Sequence, residues 1–186
     1  MDLKATGIVR RIDELGRVVI PKEIRRTLRI RESDPLEIFT DKDGGIILKK
    51  YSPIGELSEN ASELAQSLNQ AFSLPAAICD KDTYVAGAGF GKRDISGKGI
   101  SDEIERTIAQ RGRIVSLDPG EERYPLLNEP DAAFVCSARV VIPILSQGDA
   151  IGAVSLFSQK PDVGVEPAAV KACETVACFL GKQMEQ

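Results

Sequence analysis

Between residues 6 and 50 the apolar side chains fall in short, β-branched runs separated by turn-forming residues. Thr6 to Ile12 and Arg17 to Ile20 flank Glu14-Leu15-Gly16, a pattern that predicts a hairpin. Leu36 to Thr40 and Ile46 to Lys49 alternate on either side of Asp41-Lys42-Asp43-Gly44-Gly45 and predict a second hairpin. Between them Pro21 suits the first position of a helix of about two turns. In that helix Ile24 and Leu28 form an i, i+4 stripe, while Lys22, Arg25, Arg26 and Arg29 face elsewhere. The predicted order is strand, strand, helix, strand, strand.

The pattern changes at KKYSPIGELSE, where Ser52-Pro53 and Gly55 interrupt it, so a linker is expected at 53–56 between a domain of residues 1–52 and another of 57–186. Leu57, Ala61, Leu64, Ala65, Leu68 and Phe72 then recur at helical spacing over about four turns. Strands follow at Ala76 to Cys79 and Tyr84 to Ala88, about the turn Asp80-Lys81-Asp82. A helix is expected over Asp102 to Gln110, with Asp102 and Glu105 at capping-box spacing and Gly112 beyond its end. Ala133 to Leu145 and Ala150 to Phe157 flank Gln147-Gly148-Asp149 and predict a long central hairpin. The last helix, Glu166 to Met184, carries two neighbouring apolar stripes: Val170, Cys173, Ala177, Leu180 and Met184, beside Ala169, Ala172, Val176 and Phe179. One stripe can cover a sheet while the other pairs with a helix of another chain; the alternative is a helix buried deep in its own domain. The whole reads as an α+β domain.

Four short strands and a stub of helix cannot bury enough surface to stand alone, and no disulfide or metal site compensates. The apolar sides of both hairpins therefore require a partner, most economically a second copy of the same segment. Charge adds to this picture. The chain has a formal net charge of -4, yet residues 3–31 hold nine basic against three acidic groups, a local +6, which leaves -10 for the remainder. Such asymmetry points the basic segment toward a polyanion. Arginine suits phosphate and guanine edges because its planar fork bonds two acceptors and keeps its charge. The plainer alternative is that these side chains only solvate a small domain.

Catalytic chemistry finds little support. Histidine is absent, which removes the commonest general base and metal ligand. "AGAGFGKR" at 86–93 resembles a phosphate loop, but Ala86 replaces its first glycine and Arg93 stands where Ser or Thr would bind magnesium; a loop beside a sensor pocket is the expected role. Cys79, Cys136, Cys173 and Cys178 include no C-x-x-C pair and read as buried, inert thiols. No enzyme activity, cofactor or metal is expected. No apolar run approaches the roughly 20 residues that span a bilayer, and the amino terminus lacks an apolar h-region, so a cytoplasmic location is expected.

The stretch ATGIVRRIDELGRVVIPKEIRRTLRI, followed by DPLEIF and IILKKY, resembles the DNA-binding domain of AbrB-type transition-state regulators over roughly residues 4 to 51. The resemblance implies an amino-terminal swapped-hairpin, intertwined β-barrel dimer, followed here by a carboxy-terminal α+β domain whose element order resembles GAF or PAS domains. It implies double-stranded DNA as partner, with Arg10, Arg17, Arg25 and Arg26 as contacts and Arg11, Lys4 and Lys22 as weaker ones. It also implies activation and repression of genes of late spore development. The GAF-like half is expected to join two dimers into a tetramer and to respond to an unidentified small-molecule effector, although such folds also serve purely as dimerisation units. A competing reading is an antitoxin-like protein-interaction module built on the same barrel.

Overall fold

The computed structural model describes residues 6–32, 34–129 and 131–185. The chain divides into two compact units, Met1–Tyr51 and Ser52–Gln186.

In the first unit, helix α1 (Lys22–Thr27) starts one residue later than expected: Pro21 is its N-cap at ψ 148°, outside the helical region, not its first helical residue. Strands β1 (Leu36–Thr40) and β2 (Ile46–Lys50) pair antiparallel with Thr40 opposite Ile46. Their connection is tied by Asp41, whose carboxylate accepts the amides of Asp43 at 3.1 Å and Gly45 at 2.6 Å. The expected first hairpin is not a ladder in the single chain. Residues 6–12 and 17–20 run without strand pairing on either side of the Glu14–Gly16 turn. The physical reason is exposure: Val9 is 85% and Val19 71% exposed, so the β-branched arms have nothing to pack against. No described apolar residue of this unit is buried.

The second unit is a five-stranded antiparallel sheet in the order β4-β3-β9-β8-β5. Its strands are β3 (Ala76–Cys79), β4 (Tyr84–Ala88), β5 (Ile114–Ser116), β8 (Ala138–Ser146) and β9 (Asp149–Ser158), with β6 (Tyr124–Pro125) and β7 (Val135–Cys136) forming a separate small pair. The expected strand from Ala133 is thus interrupted at Ser137. β8 and β9 are joined by Gln147-Gly148, both at positive φ (50° and 86°), the geometry of a two-residue primed hairpin turn. Helices α3 (Ser58–Phe72) and α5 (Pro167–Gln183) cover one face of the sheet, packing Ala65, Leu68, Cys173 and Leu180 against Ile78, Val140 and Val154. Helix α4 (Asp102–Ala109) and the loops cover the other, where Ile104, Ile108, Phe90 and Phe134 meet Tyr84 and Phe157. Alternation along each strand divides the two layers.

Three further details differ from the sequence expectation. Residues 53–56 are no free linker but a helical turn, α2 (Pro53–Glu56), capped by the Ser52 hydroxyl on the Gly55 amide, with Ile54 buried in the core. The N-cap of α4 is Ser101 rather than Asp102, and Arg111, not Gly112, takes the left-handed position at its end while Gly112 N–H reaches the Thr107 carbonyl. Cys178 is exposed on α5; the other three cysteines are buried as expected. Burial pushes the Cys136 and Cys173 thiols up to about 12, which keeps them protonated.

Candidate nucleic-acid interface

The Asp13–Arg17 turn is organised by one carboxylate. Asp13 Oδ1 accepts the amides of Leu15 (3.0 Å) and Arg17 (2.8 Å), and the Asp13 amide donates to the Arg17 carbonyl at 3.0 Å. Gly16 closes the turn at φ +74°, a conformation that glycine alone adopts without a Cβ penalty. Asp13 Oδ2 then takes Arg17 Nε at 2.8 Å. The Arg17 amide and, after it, the Arg17 guanidinium hold the Asp13 carboxyl below the usual carboxylate range. One of the five guanidinium N–H donors is spent on orientation, on a side chain that is still 70% exposed.

Arg10 and Arg11 lie on the arm before this turn, both exposed, with Arg10 Nη1 on the Val9 carbonyl at 3.2 Å. Lys22, Arg25 and Arg26 sit on α1 at i, i+3 and i+4, one face of the helix. Like charges at that spacing cost a short helix a few tenths of a kcal/mol per pair, so stability does not explain them. Lys22 and Arg26 are exposed; Arg25 is half-buried and its Nε has no acceptor among the described residues. Lys4 lies outside the described residues. The described candidates thus lie on three local features of one unit: the arm before the turn (Arg10, Arg11), the Asp13 turn (Arg17) and α1 (Lys22, Arg25, Arg26).

The end of α1 is fixed to the second strand of its unit. Arg29 adopts φ +52° and the Ile30 amide reaches back to the Arg25 carbonyl at 2.7 Å, the hydrogen bond that closes a Schellman-type end. Lys50 Nζ bonds the Arg29 carbonyl at 3.0 Å and the Asp34 carboxylate at 3.1 Å, while Asp34 also accepts the Arg31 amide at 2.8 Å. Burial raises the Asp34 carboxyl, but these partners outweigh it and the net direction is down. Sequence reasoning missed both organisers. The signal for Asp13 was present as an Asx residue two and four positions before amides of a glycine turn; that for Asp34 and Lys50 was not, because 16 residues separate them.

The "AGAGFGKR" segment is not followed by a helix: β4 ends at Ala88, and a Cβ on Gly89 would strike the side chain of Asn69 and the backbone of Pro75. Its glycine serves packing. Among the described residues no group of His, Cys, Asp or Glu could hold a metal, and no helix is long and apolar enough to cross a membrane.

Comparison with known proteins bears on both units. Residues 56–185 match the family described as stage V sporulation protein T C-terminal, transcription factor, and residues 9–56 match the family of the bacterial antitoxin MazE, antidote-toxin recognition. The chain is 52% identical over 184 residues to stage V sporulation protein T of Bacillus subtilis (strain 168), covering 99% of this chain and 100% of that protein. It is 58% identical over 71 residues to the transition state regulatory protein AbrB of the same organism, covering 35% of this chain and 73% of AbrB. Among solved structures, the GAF domain of an Acinetobacter phosphoenolpyruvate-protein phosphotransferase aligns with TM-score 0.52 at 12% identity, over 73% of this chain and 84% of that one. A methyl-accepting chemotaxis protein fragment aligns with TM-score 0.57 at 18% identity, over 69% and 88%. At these identities the likeness concerns the fold alone.

Proposed function

The chain belongs to the stage V sporulation protein T family of transcription factors, and from that premise we propose that it is a cytoplasmic regulator of sporulation genes, activator and repressor, that binds duplex DNA through Arg10, Arg17, Arg25 and Arg26. Arg11, Lys22 and Lys4 add charge around them. The observation that carries this reading is the state of the first unit. It presents exposed basic groups, Arg17 already oriented by Asp13, on a backbone whose apolar side chains have no core of their own. Ile8, Val9, Ile12, Val18, Val19 and Ile38 are among those exposed. Pairing with a second copy as a swapped-hairpin barrel would bury them, supply the missing ladder for residues 6–12 and 17–20, and double the arginine set on one surface. The domain reading that follows is residues 1–52 for DNA and 57–186 as a GAF-like sensor and oligomerisation unit.

The half-exposed face of α5, with Val176 and Ala172 partly covered and Phe179 46% exposed, supports joining two such dimers into a tetramer. The antitoxin reading draws on the match over residues 9–56. The folded second unit, which matches a transcription-factor family, favours regulation.

The test is duplex binding by the full chain across a salt series. If the dimer neutralises about eight phosphates, log K falls against log salt with a slope of roughly -7. Replacing Arg17, Arg25 and Arg26 by alanine should leave the circular dichroism spectrum unchanged and abolish binding. A flat salt dependence, or wild-type affinity in the triple variant, would overturn the assignment.

A further inference from the structure

In the second unit the buried side-chain nitrogen and oxygen atoms that lack a hydrogen-bond partner among the described residues are Arg139 Nε and Nη1, Ser101 Oγ and Ser155 Oγ. All four face the same layer. Arg139 on β8 lies opposite Phe157 on β9, and its neighbours Ala138 and Val140 point to the α3/α5 side, so Arg139 points to the α4 side with Val141. Ser155 lies opposite Val141 and Ala77, both members of the α4 layer. Ser101 precedes Ile104 and Ile108 at helical spacing and so shares their inward face of α4.

Arg139 is the unusual member. Its side chain is only 3% exposed, yet one acceptor serves it: Glu103 Oε1, 2.7 Å from Nη2, on a carboxylate that is itself 43% exposed. The Tyr124 ring lies over the guanidinium, 3.8 Å from Cζ to the ring centre, and the Tyr124 hydroxyl is held by Glu122 at 2.9 Å. A buried cation with two unused donors is a costly arrangement in a layer of isoleucine and phenylalanine. The dipole of α4 does not account for it, because the helix end nearest Arg139, where Glu103 sits, is the N-terminal one, whose partial positive charge repels a cation. A carboxylate oxygen can take one of the two free guanidinium donors, Nε–H or Nη1–H, which point apart on either side of the Glu103-bound Nη2, and the remaining lone pairs suit the serine hydroxyls. A phosphate dianion would bring a second charge into the same apolar layer.

We infer that the layer between α4 and the sheet is a binding site for a small carboxylate-bearing molecule, held by Arg139 with Ser101 and Ser155 and covered by the Tyr124 ring. The inference rests on the second unit being a sensor and gives its effector a chemistry.

Exhaustively dialysed full-length protein, labelled to report the arginine Nε–H signals, is titrated with acetate, succinate, L-alanine, L-glutamate and inorganic phosphate, and thermal unfolding is followed in parallel. At least one carboxylate should move the Arg139 Nε–H signal saturably and raise the unfolding midpoint. Arg139→Lys should weaken that binding at least tenfold; Ser155→Ala, a gentler change that preserves the fold, should weaken it about threefold. No saturable response to any carboxylate, a response to phosphate alone, or binding unaffected by Ser155→Ala and Arg139→Lys would overturn the site. DNA binding measured on the same samples reports on the first unit separately, so its loss would count against the regulator and not against this site.

Discussion

Asp13 shows how a single side chain can serve structure and recognition together. Its two oxygens tie the turn amides and the Arg17 Nε, so Arg17, a proposed DNA contact, has part of its rotamer entropy already spent. Asp13→Asn keeps an oxygen for the amides but sets an NH2 donor against Arg17 Nε and so removes that contact, and duplex affinity should fall several-fold with the turn intact, as read by binding isotherms and the Arg17 amide shift. Because the Asp13 carboxyl is held below its ordinary value near 3.9, its contribution is complete above that pH and is lost as pH falls through the lower folded value. A titration of the Arg17 amide signal should therefore be flat at neutral pH and break only in acid, below about pH 4. Arg111 offers a contrasting case. It sits at φ +54° in exchange for an ion pair with Asp149 at 2.9 Å that is 57% and 76% exposed. A left-handed non-glycine residue costs about 1–2 kcal/mol, whereas an exposed pair is worth at most about 1. Arg111→Gly should thus stabilise the protein by roughly 0.5–1 kcal/mol in urea unfolding.

At the level of elements, α5 and β8 approach each other at Gly181, where a Cβ would strike the Leu145 carbonyl. Alanine in a helix interior normally gains about 1 kcal/mol over glycine. Here the sign should reverse, because the obstruction is backbone that cannot rotate aside: Gly181→Ala is expected to cost about 1–3 kcal/mol in chemical unfolding. Most elements were legible from pattern alone. The strands Ala76–Cys79 and Tyr84–Ala88 and the β8–β9 hairpin announce themselves through short apolar runs bounded by turn residues. β5 and β6 were not legible, and β7 was read only as the start of the long strand from Ala133: three and two residues are too short for a period to emerge, and each forms only because a neighbouring strand offers its edge. The first hairpin failed for the opposite reason. Its residues have the right propensity, but propensity without a surface to cover does not make a ladder.

For the whole molecule the decisive quantity is how much apolar surface each unit can bury by itself. The second unit closes two layers about its sheet, whereas the first closes none. The first unit therefore calls for a second copy, and the half-exposed face of α5 around Phe179 is the proposed second contact. Phe179→Glu should convert the proposed tetramer to a dimer in sedimentation while sparing the fold, since Phe179 is 46% exposed in the single chain; a mass unchanged by the substitution would show that α5 is not that contact. The sequence by itself determined the basic segment, the helix and strand periods and the family to which they belong, because charge and apolar spacing are local properties. Only the tertiary structure decided that Asp13 steers Arg17, that Lys50 and Asp34 secure α1, and that Arg139 is buried with donors to spare. Those facts depend on which residues distant in sequence come within about 3 Å, and that is set by how the sheet folds its layers, not by any window along the chain.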